Sequence, residues 1–116
     1  RAFEPAWWRS EASIRRRAST ASRCVVAERS GSVVGYAERE HHPPTAHLNR
    51  IAVDPDYQGQ AIGASLLKHV LVSLWESGAA AVSLNTQRTN QRSRRLYERF
   101  GFAPTGDSVT VWELHL

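Results

Sequence analysis

The residues Gln58-Gly59-Gln60-Ala61-Ile62-Gly63-Ala64 have the composition of a loop that turns straight into a helix and leaves its backbone bare. The first N–H groups of a helix have no partner within it, and Gly59, Ala61, Gly63 and Ala64 keep bulky side chains away from them. The helix dipole adds partial positive charge, so the chemistry offered is the binding of a phosphate-like anion. No Gly-Lys-Ser/Thr follows, which excludes a Walker loop, and the spacing falls short of the full Rossmann glycine fingerprint.

Other reactive side chains are arranged less suggestively. Cys24 is the sole cysteine and sits in an apolar run, which marks a buried thiol and excludes an intrachain disulfide or a CxxC metal framework. His41, His42 and His47 lack ligand spacing and a carboxylate partner, so no metal is expected. Arg15-Arg16-Arg17 reads as a solvated helix face.

The elements that must hold the anion loop can be taken in order. A short helix over residues 10–17 is predicted, capped by Ser10 with Glu11 in its first turn. At least one of Trp7 and Trp8 is expected to pack on the core or line a pocket. Residues 24–28 and 33–37 are β-rich and joined through Ser30-Gly31, a hairpin in which Gly35 marks a bulge or a close backbone approach. His41-His42-Pro43-Pro44-Thr45 breaks the strand into a loop. A third strand over residues 48–53 enters the anion loop. Beyond the loop, Ile62, Leu66, Leu67, Val70, Leu71, Leu74 and Trp75 recur at helical spacing as a core-facing stripe that Gly78 ends. Ala81–Asn85 returns as a parallel strand through a right-handed crossover. Asn90 caps a second helix, with Leu96, Tyr97 and Phe100 on one face, Arg92, Arg95 and Arg99 on another, and Gly101 as the stop. A short strand over residues 102–105 and an alternating strand over residues 109–116 complete an α+β, α/β-like pattern with a mixed sheet and no repeat or linker.

A chain of 116 residues, 41% of them hydrophobic, suits one soluble domain. Neither an apolar run of roughly 18 residues nor a signal-peptide pattern occurs, so no membrane association and a cytoplasmic location are expected. A formal charge of +4 permits an anionic ligand or a nucleic acid. Charge alone supports an RNA-associated module, and the strands lack the exposed aromatics of an RNA-binding sheet, so a nucleic-acid partner is not expected.

Gln58-Gly59-Gln60-Ala61-Ile62-Gly63 resembles the pyrophosphate motif of the GNAT N-acetyltransferases: Gln or Arg, two residues, Gly, one residue, then Gly or Ala. Ala61 departs from it by standing where the family usually has Gly, which matters if the backbone there needs positive φ. The segment from Asn90 through Ser93 and Tyr97 to Gly101-Phe102 resembles the family's other signature, and the likeness covers roughly residues 23–116. It implies a central mixed sheet of about six strands flanked by helices, lacking the family's usual first strand and first helix and so leaving an edge unpaired. Because the chain opens on Arg1 and not Met, a single N-acetyltransferase domain cut from a longer chain is expected, with a dimer mate or tandem domain as another source of the missing elements.

The resemblance also implies the chemistry, which is transfer of an acetyl group from acetyl-CoA to an amine by direct attack. Gln58, Gly59, Gln60, Ala61, Ile62, Gly63 and Ala64 would hold the pyrophosphate. The pantetheine arm would pair with the backbone of Ile51, Ala52 and Val53, where the sheet opens toward the strand ending at Asn85. Asn90 would bond the pantetheine, Ser93 would lie near it, and Arg88, Arg92 or Arg94 would meet the 3′-phosphate. Tyr97 is the expected catalytic residue, a phenol that hydrogen-bonds the departing sulfur. The acceptor, a small molecule or a protein N-terminus, is left open, and Glu28, Glu38, Glu40 and His47 are the candidate bases. Acetylases of ribosomal-protein N-termini carry Glu where Asn85 stands, which argues against that acceptor. The alternative is a cofactor-binding domain with weak or no catalysis, to which Ala61, Asn85 and the missing first elements would point.

Overall fold

In β3 (Ser32–His42), Gly35, Ala37 and Arg39 are buried while Tyr36, Glu38 and Glu40 are half-buried, the period-two pattern of a strand with one face on a core. The computed structural model of the chain describes residues 13–17, 23–86, 91–106 and 110–116. β3 forms the predicted hairpin with β2 (Arg23–Arg29), turning at Ser30 and Gly31, both at positive φ. It runs longer than its apolar core suggests and reaches His42, so the expected loop over residues 41–45 shrinks to the Pro43-Pro44 turn. β4 (Thr45–Val53) then returns antiparallel to it.

The 3-10 turn Pro55–Tyr57 and helix α1 (Ile62–Glu76) connect β4 to β5 (Ala81–Asn85), which lies parallel to it as expected. Helix α2 (Gln91–Arg99) follows, then β6 (Ala103–Pro104) and β7 (Val111–His115), with β7 inserted antiparallel between β5 and β6. Gly78 and Gly101, each at positive φ, follow the two helices as predicted.

The start of the chain differs from expectation. Ser13–Arg17 is a strand, β1, and not the end of a helix; it pairs antiparallel with β2 from Ser13 opposite Glu28 to Arg17 opposite Cys24. Backbone pairing with the open edge of β2 satisfies a row of N–H and C=O groups that an isolated helix with little apolar content could not offset. The sheet therefore has seven strands in the order β1-β2-β3-β4-β5-β7-β6, one more than the six or so expected. Ser10, Trp7 and Trp8 lie outside the described residues.

One core lies between the sheet and α1, with Ile62, Leu66, Leu67, Val70 and Leu74 of α1 against Val25, Ala27, Ala37, Leu48, Val82, Leu84 and Trp112. Trp75 does not belong to the stripe, being 64% exposed, because it falls about 40° past Leu71 on the helical wheel and Leu71 is already at the stripe's margin. Gly35 makes the close approach its type suggests. A Cβ there would stand 2.9 Å from Ala52 O, 3.3 Å from Leu66 Cδ1 and 3.4 Å from Ile62 Cγ2. The β2–β3 register slips beside it, from Ala27 opposite Gly35 to Glu28 opposite Val33, leaving Val34 as a bulge whose carbonyl accepts from Asp54 N at 2.8 Å.

Since Ala52 O is backbone and cannot swing away, Gly35→Ala is expected to destabilise the domain by about 1–3 kcal/mol in urea unfolding. An unchanged midpoint would show that β3 and β4 are not pressed together there.

Candidate active site

β4 and β5 are in register from Thr45 opposite Ala81 to Leu48 opposite Leu84, and there the pairing stops. On its other side β4 continues against β3, with Ile51 opposite Ala37, Ala52 opposite Tyr36 and Val53 opposite Gly35. The β3–β4 register slips between Arg39–Leu48 and Glu38–Arg50, which makes Asn49 an extra residue in β4. A bulge bends its strand, and here it turns the end of β4 away from β5. Beyond Leu48, the alternate backbone groups of β4 that point toward β5 have no strand partner among the described residues. The opening expected between the strands ending at Val53 and Asn85 is present.

At the end of β4 the Asp54 side chain accepts from Asp56 N at 2.9 Å and closes the Pro55–Tyr57 turn. Gly59 (φ 85°) and Ala61 (φ 63°, ψ 19°) are both left-handed. Ala61 caps α1 with no side-chain hydrogen bond, and the first bond of the helix runs from Ser65 N to Ala61 O at 3.0 Å. The N–H groups of Ile62, Gly63 and Ala64 therefore have no partner one turn back, as the small-residue pattern requires. Gly63 sits where α1, β4 and α2 meet, since a Cβ there would lie 3.6 Å from Leu96 and 3.7 Å from Val53.

Two arginines flank this helix end. Arg92 of α2 donates to Gln58 Oε1, and Arg29 at the end of β2 donates to Gln60 Oε1 while its guanidinium lies 5.9 Å from the centre of the Tyr57 ring. Gln58 also donates from Nε2 to Val53 O at 3.3 Å. Arg29 was not anticipated from sequence, because it reaches Gln60 across 31 residues and no local pattern links them. Arg94, anticipated as a phosphate ligand, lies over the Trp112 ring at 5.5 Å. Arg88 and Asn90 are outside the described residues.

Ser93, Leu96, Tyr97 and Phe100 share one face of α2, at the i, i+3, i+4 and i+7 positions. Tyr97 is buried in the same apolar cluster as Leu48 and Leu84, its ring 5.8 Å from that of Phe102. Burial pushes its pKa above the usual phenol value, so it is a proton donor and never a phenolate at neutral pH. The histidines are dispersed: His42 Nε2 meets Glu40 at 2.9 Å, whereas His47 Nδ1 meets Ser83 Oγ at 2.8 Å. Among the described residues no group of His, Cys, Asp and Glu converges as a metal site would need, and no helix is long and apolar enough to cross a membrane.

Residues 1–102 match the model of the Acetyltransferase (GNAT) family. The chain belongs to this family. It is 37% identical over 73 residues to the [ribosomal protein bS18]-alanine N-acetyltransferase of Escherichia coli K12, a match covering 63% of this chain and 49% of the relative. It is 33% identical over 96 residues to the mycothiol acetyltransferase of Acidimicrobium ferrooxidans, covering 78% of this chain and 31% of that protein. The chain thus spans about half the length of the ribosomal relative it matches. The crystal structure of the E. coli ribosomal-protein-S18-alanine N-acetyltransferase superposes with a TM-score of 0.75 at 28% identity, over 84% of this chain and 71% of that one. A Bacillus subtilis acetyltransferase solved in complex with CoA shares the fold at TM-score 0.78 and 14% identity, over 91% and 99% of the two chains. The α+β architecture is the GNAT fold.

The left-handed angles at position 61 explain the family's glycine there: an L side chain in that conformation costs about 1 kcal/mol. Ala61→Gly is expected to raise stability by up to about 1 kcal/mol, read from the urea midpoint. A lower midpoint would mean that α1 starts differently in solution.

Proposed function

We propose that this GNAT domain transfers the acetyl group of acetyl-CoA to a primary amine by direct attack. The observation that carries this reading is the opening of the sheet after Leu48 and Leu84 beside a helix N-terminus without a side-chain cap. A strand edge with free amide groups suits the peptide-like pantetheine arm, and Ile51, Ala52 and Val53 supply it. Residues 58–64 present backbone N–H groups to the pyrophosphate, and Arg29 and Arg92, already aimed at the same loop, add charge-assisted donors. In this reading Ser93, in the first turn of α2, would lie near the pantetheine, and Asn90 would be the residue that bonds it.

Bound acetyl-CoA supplies a thioester whose carbonyl the amine attacks and whose sulfur departs. Tyr97 serves the departing sulfur. A free phenol near pKa 10 is about 1.5 units less acidic than a thiol near 8.5, so full proton transfer to the thiolate is uphill by roughly 2 kcal/mol. Burial raises Tyr97 further and widens that gap. Its service is a hydrogen bond that strengthens as charge develops on sulfur. With Ala61 left-handed and offering no side-chain cap, the N–H groups of Ile62, Gly63 and Ala64 keep no partner within the helix, which favours this reading over a domain whose cofactor cradle is closed.

Two measurements test it. Wild-type protein should bind acetyl-CoA in calorimetry, and Arg92→Ala should weaken binding about tenfold, the loss of one charge-assisted contact. Tyr97→Phe should keep that affinity and lower amine-dependent thiol release on the order of 10²-fold. Absence of acetyl-CoA binding by the wild type sinks the reading; equal turnover by Tyr97→Phe removes that residue from the mechanism.

A further inference from the structure

The sheet register lines up four polar side chains on four neighbouring strands. Glu40 of β3 stands opposite His47 of β4, His47 opposite Ser83 of β5, and Ser83 opposite Glu113 of β7. They share the face turned away from α1, since Ala46 and Leu48 on either side of His47, and Val82 and Leu84 on either side of Ser83, are buried. His47 and Ser83 are the last pair on that face before β4 and β5 part. Asn85, two residues on and exposed, is an amide and takes no proton.

Ser83 has one hydroxyl hydrogen to share between two acceptors in this row, and where it goes sets the tautomer of His47. Ala46 O lies 3.5 Å from Ser83 Oγ to accept it. His47 Nδ1 lies 2.8 Å from the same oxygen; with the hydroxyl turned to Ala46 O, Nδ1 donates in that contact and the lone pair is left on Nε2. Glu40 is an anion on the neighbouring strand: it meets His42 Nε2 at 2.9 Å and accepts from Asn49 Nδ2 at 2.9 Å, and these bonds, the first above all, hold its carboxyl below the usual range. The other charged or titratable groups on this face, among the described residues, include Cys24 and Glu28 of β2, Tyr36, Glu38 and His42 of β3, Arg50 of β4, and Glu113 with His115 of β7, the last two 3.0 Å apart.

We infer that His47 is the base that takes the proton from the acceptor amine, with Ser83 as a positioning residue that fixes its tautomer and Glu40 stabilising the imidazolium. This rests on the transferase reading. The step balances as follows. The ammonium form of the acceptor gives one proton to His47 Nε2, and its freed lone pair forms the C–N bond while the C–S bond breaks. The second N–H proton passes to the departing sulfur, and His47 returns its proton to solvent. Tyr97 works from the α-helical face of the sheet and His47 from the other, so donor and acceptor of protons are separated by the strands themselves.

Two readouts test it. Long-range 15N ring spectra of the acetyl-CoA-bound protein should show His47 as the Nδ1–H tautomer, and Ser83→Ala should lose that preference; an Nε2–H ring in the wild type overturns the inference. In thiol release with L-alaninamide and with spermidine, His47→Gln should lower kcat on the order of 10²-fold and remove the acid limb of its pH profile. Acetyl-CoA affinity should not change. Ser83→Ala should shift that limb with a smaller loss. A wild type that binds and turns over acetyl-CoA beside an equally active His47→Gln leaves the transferase reading standing and removes His47. If the wild type turns over neither amine, the ring tautomer alone decides.

Discussion

The arrangement depends on one extra residue in β4. Leu48 and Ile51 are three apart, an odd number, and in a regular strand they would face opposite sides of the sheet. Asn49 absorbs the difference as a bulge, so Leu48 packs in the core and Ile51 still packs against it. The same insertion ends the pairing with β5 at Leu48 and Leu84. The core stays continuous along β4 while its backbone edge separates from its parallel neighbour. Gly35 then lets β3 and α1 close on the departing end of β4, with Asp54 N tied to Val34 O at the far side.

Much of this was legible in the sequence. Apolar spacing located α1, small residues marked its bare start, and turn residues placed the β2–β3 hairpin. What escaped has physical causes. Ser13–Arg17 has no strong period of its own, and its state is decided by the open edge of β2, a tertiary effect. Helical spacing extends the core-facing stripe to Trp75, whereas a few tens of degrees on the wheel put that side chain in water. The bulge at Asn49 has no marker comparable to Gly35, because an added residue with an ordinary polar side chain is visible only through the register of two strands. Arg29 was invisible because its contact joins the end of one hairpin strand to a loop 31 residues later.

The two faces of the sheet divide the labour. One is apolar apart from the buried Arg39, which donates to Ser73 Oγ at 3.2 Å, and is covered by α1, with α2 contributing the buried Tyr97 and Trp112 lying beneath Arg94. The other carries Glu40, His47, Ser83 and Glu113 in a polar line. Strand alternation makes this possible, since successive side chains point to opposite faces. A buried phenol and a half-buried imidazole thus belong to opposite faces of one sheet.

Gln58 spans two functions with one amide. Its nitrogen holds the carbonyl of Val53 at the strand edge, and its oxygen occupies the guanidinium of Arg92. Gln60 does the same service for Arg29. In the proposed reading these neutral oxygens would be stand-ins for an anion: they keep both arginines pointed at the loop, so little side-chain entropy would remain to be lost when a charged oxygen replaced them. The exchange of a neutral acceptor for an ionised one is favourable because charge-assisted bonds are about twice as strong. A neutral ligand gains nothing from that exchange. In the proposed acetyl-CoA reading the loop would thus discriminate by charge before any shape is read, and because Gln58 is tethered to Val53, displacing it at the phosphate end would also loosen the carbonyl at the strand end.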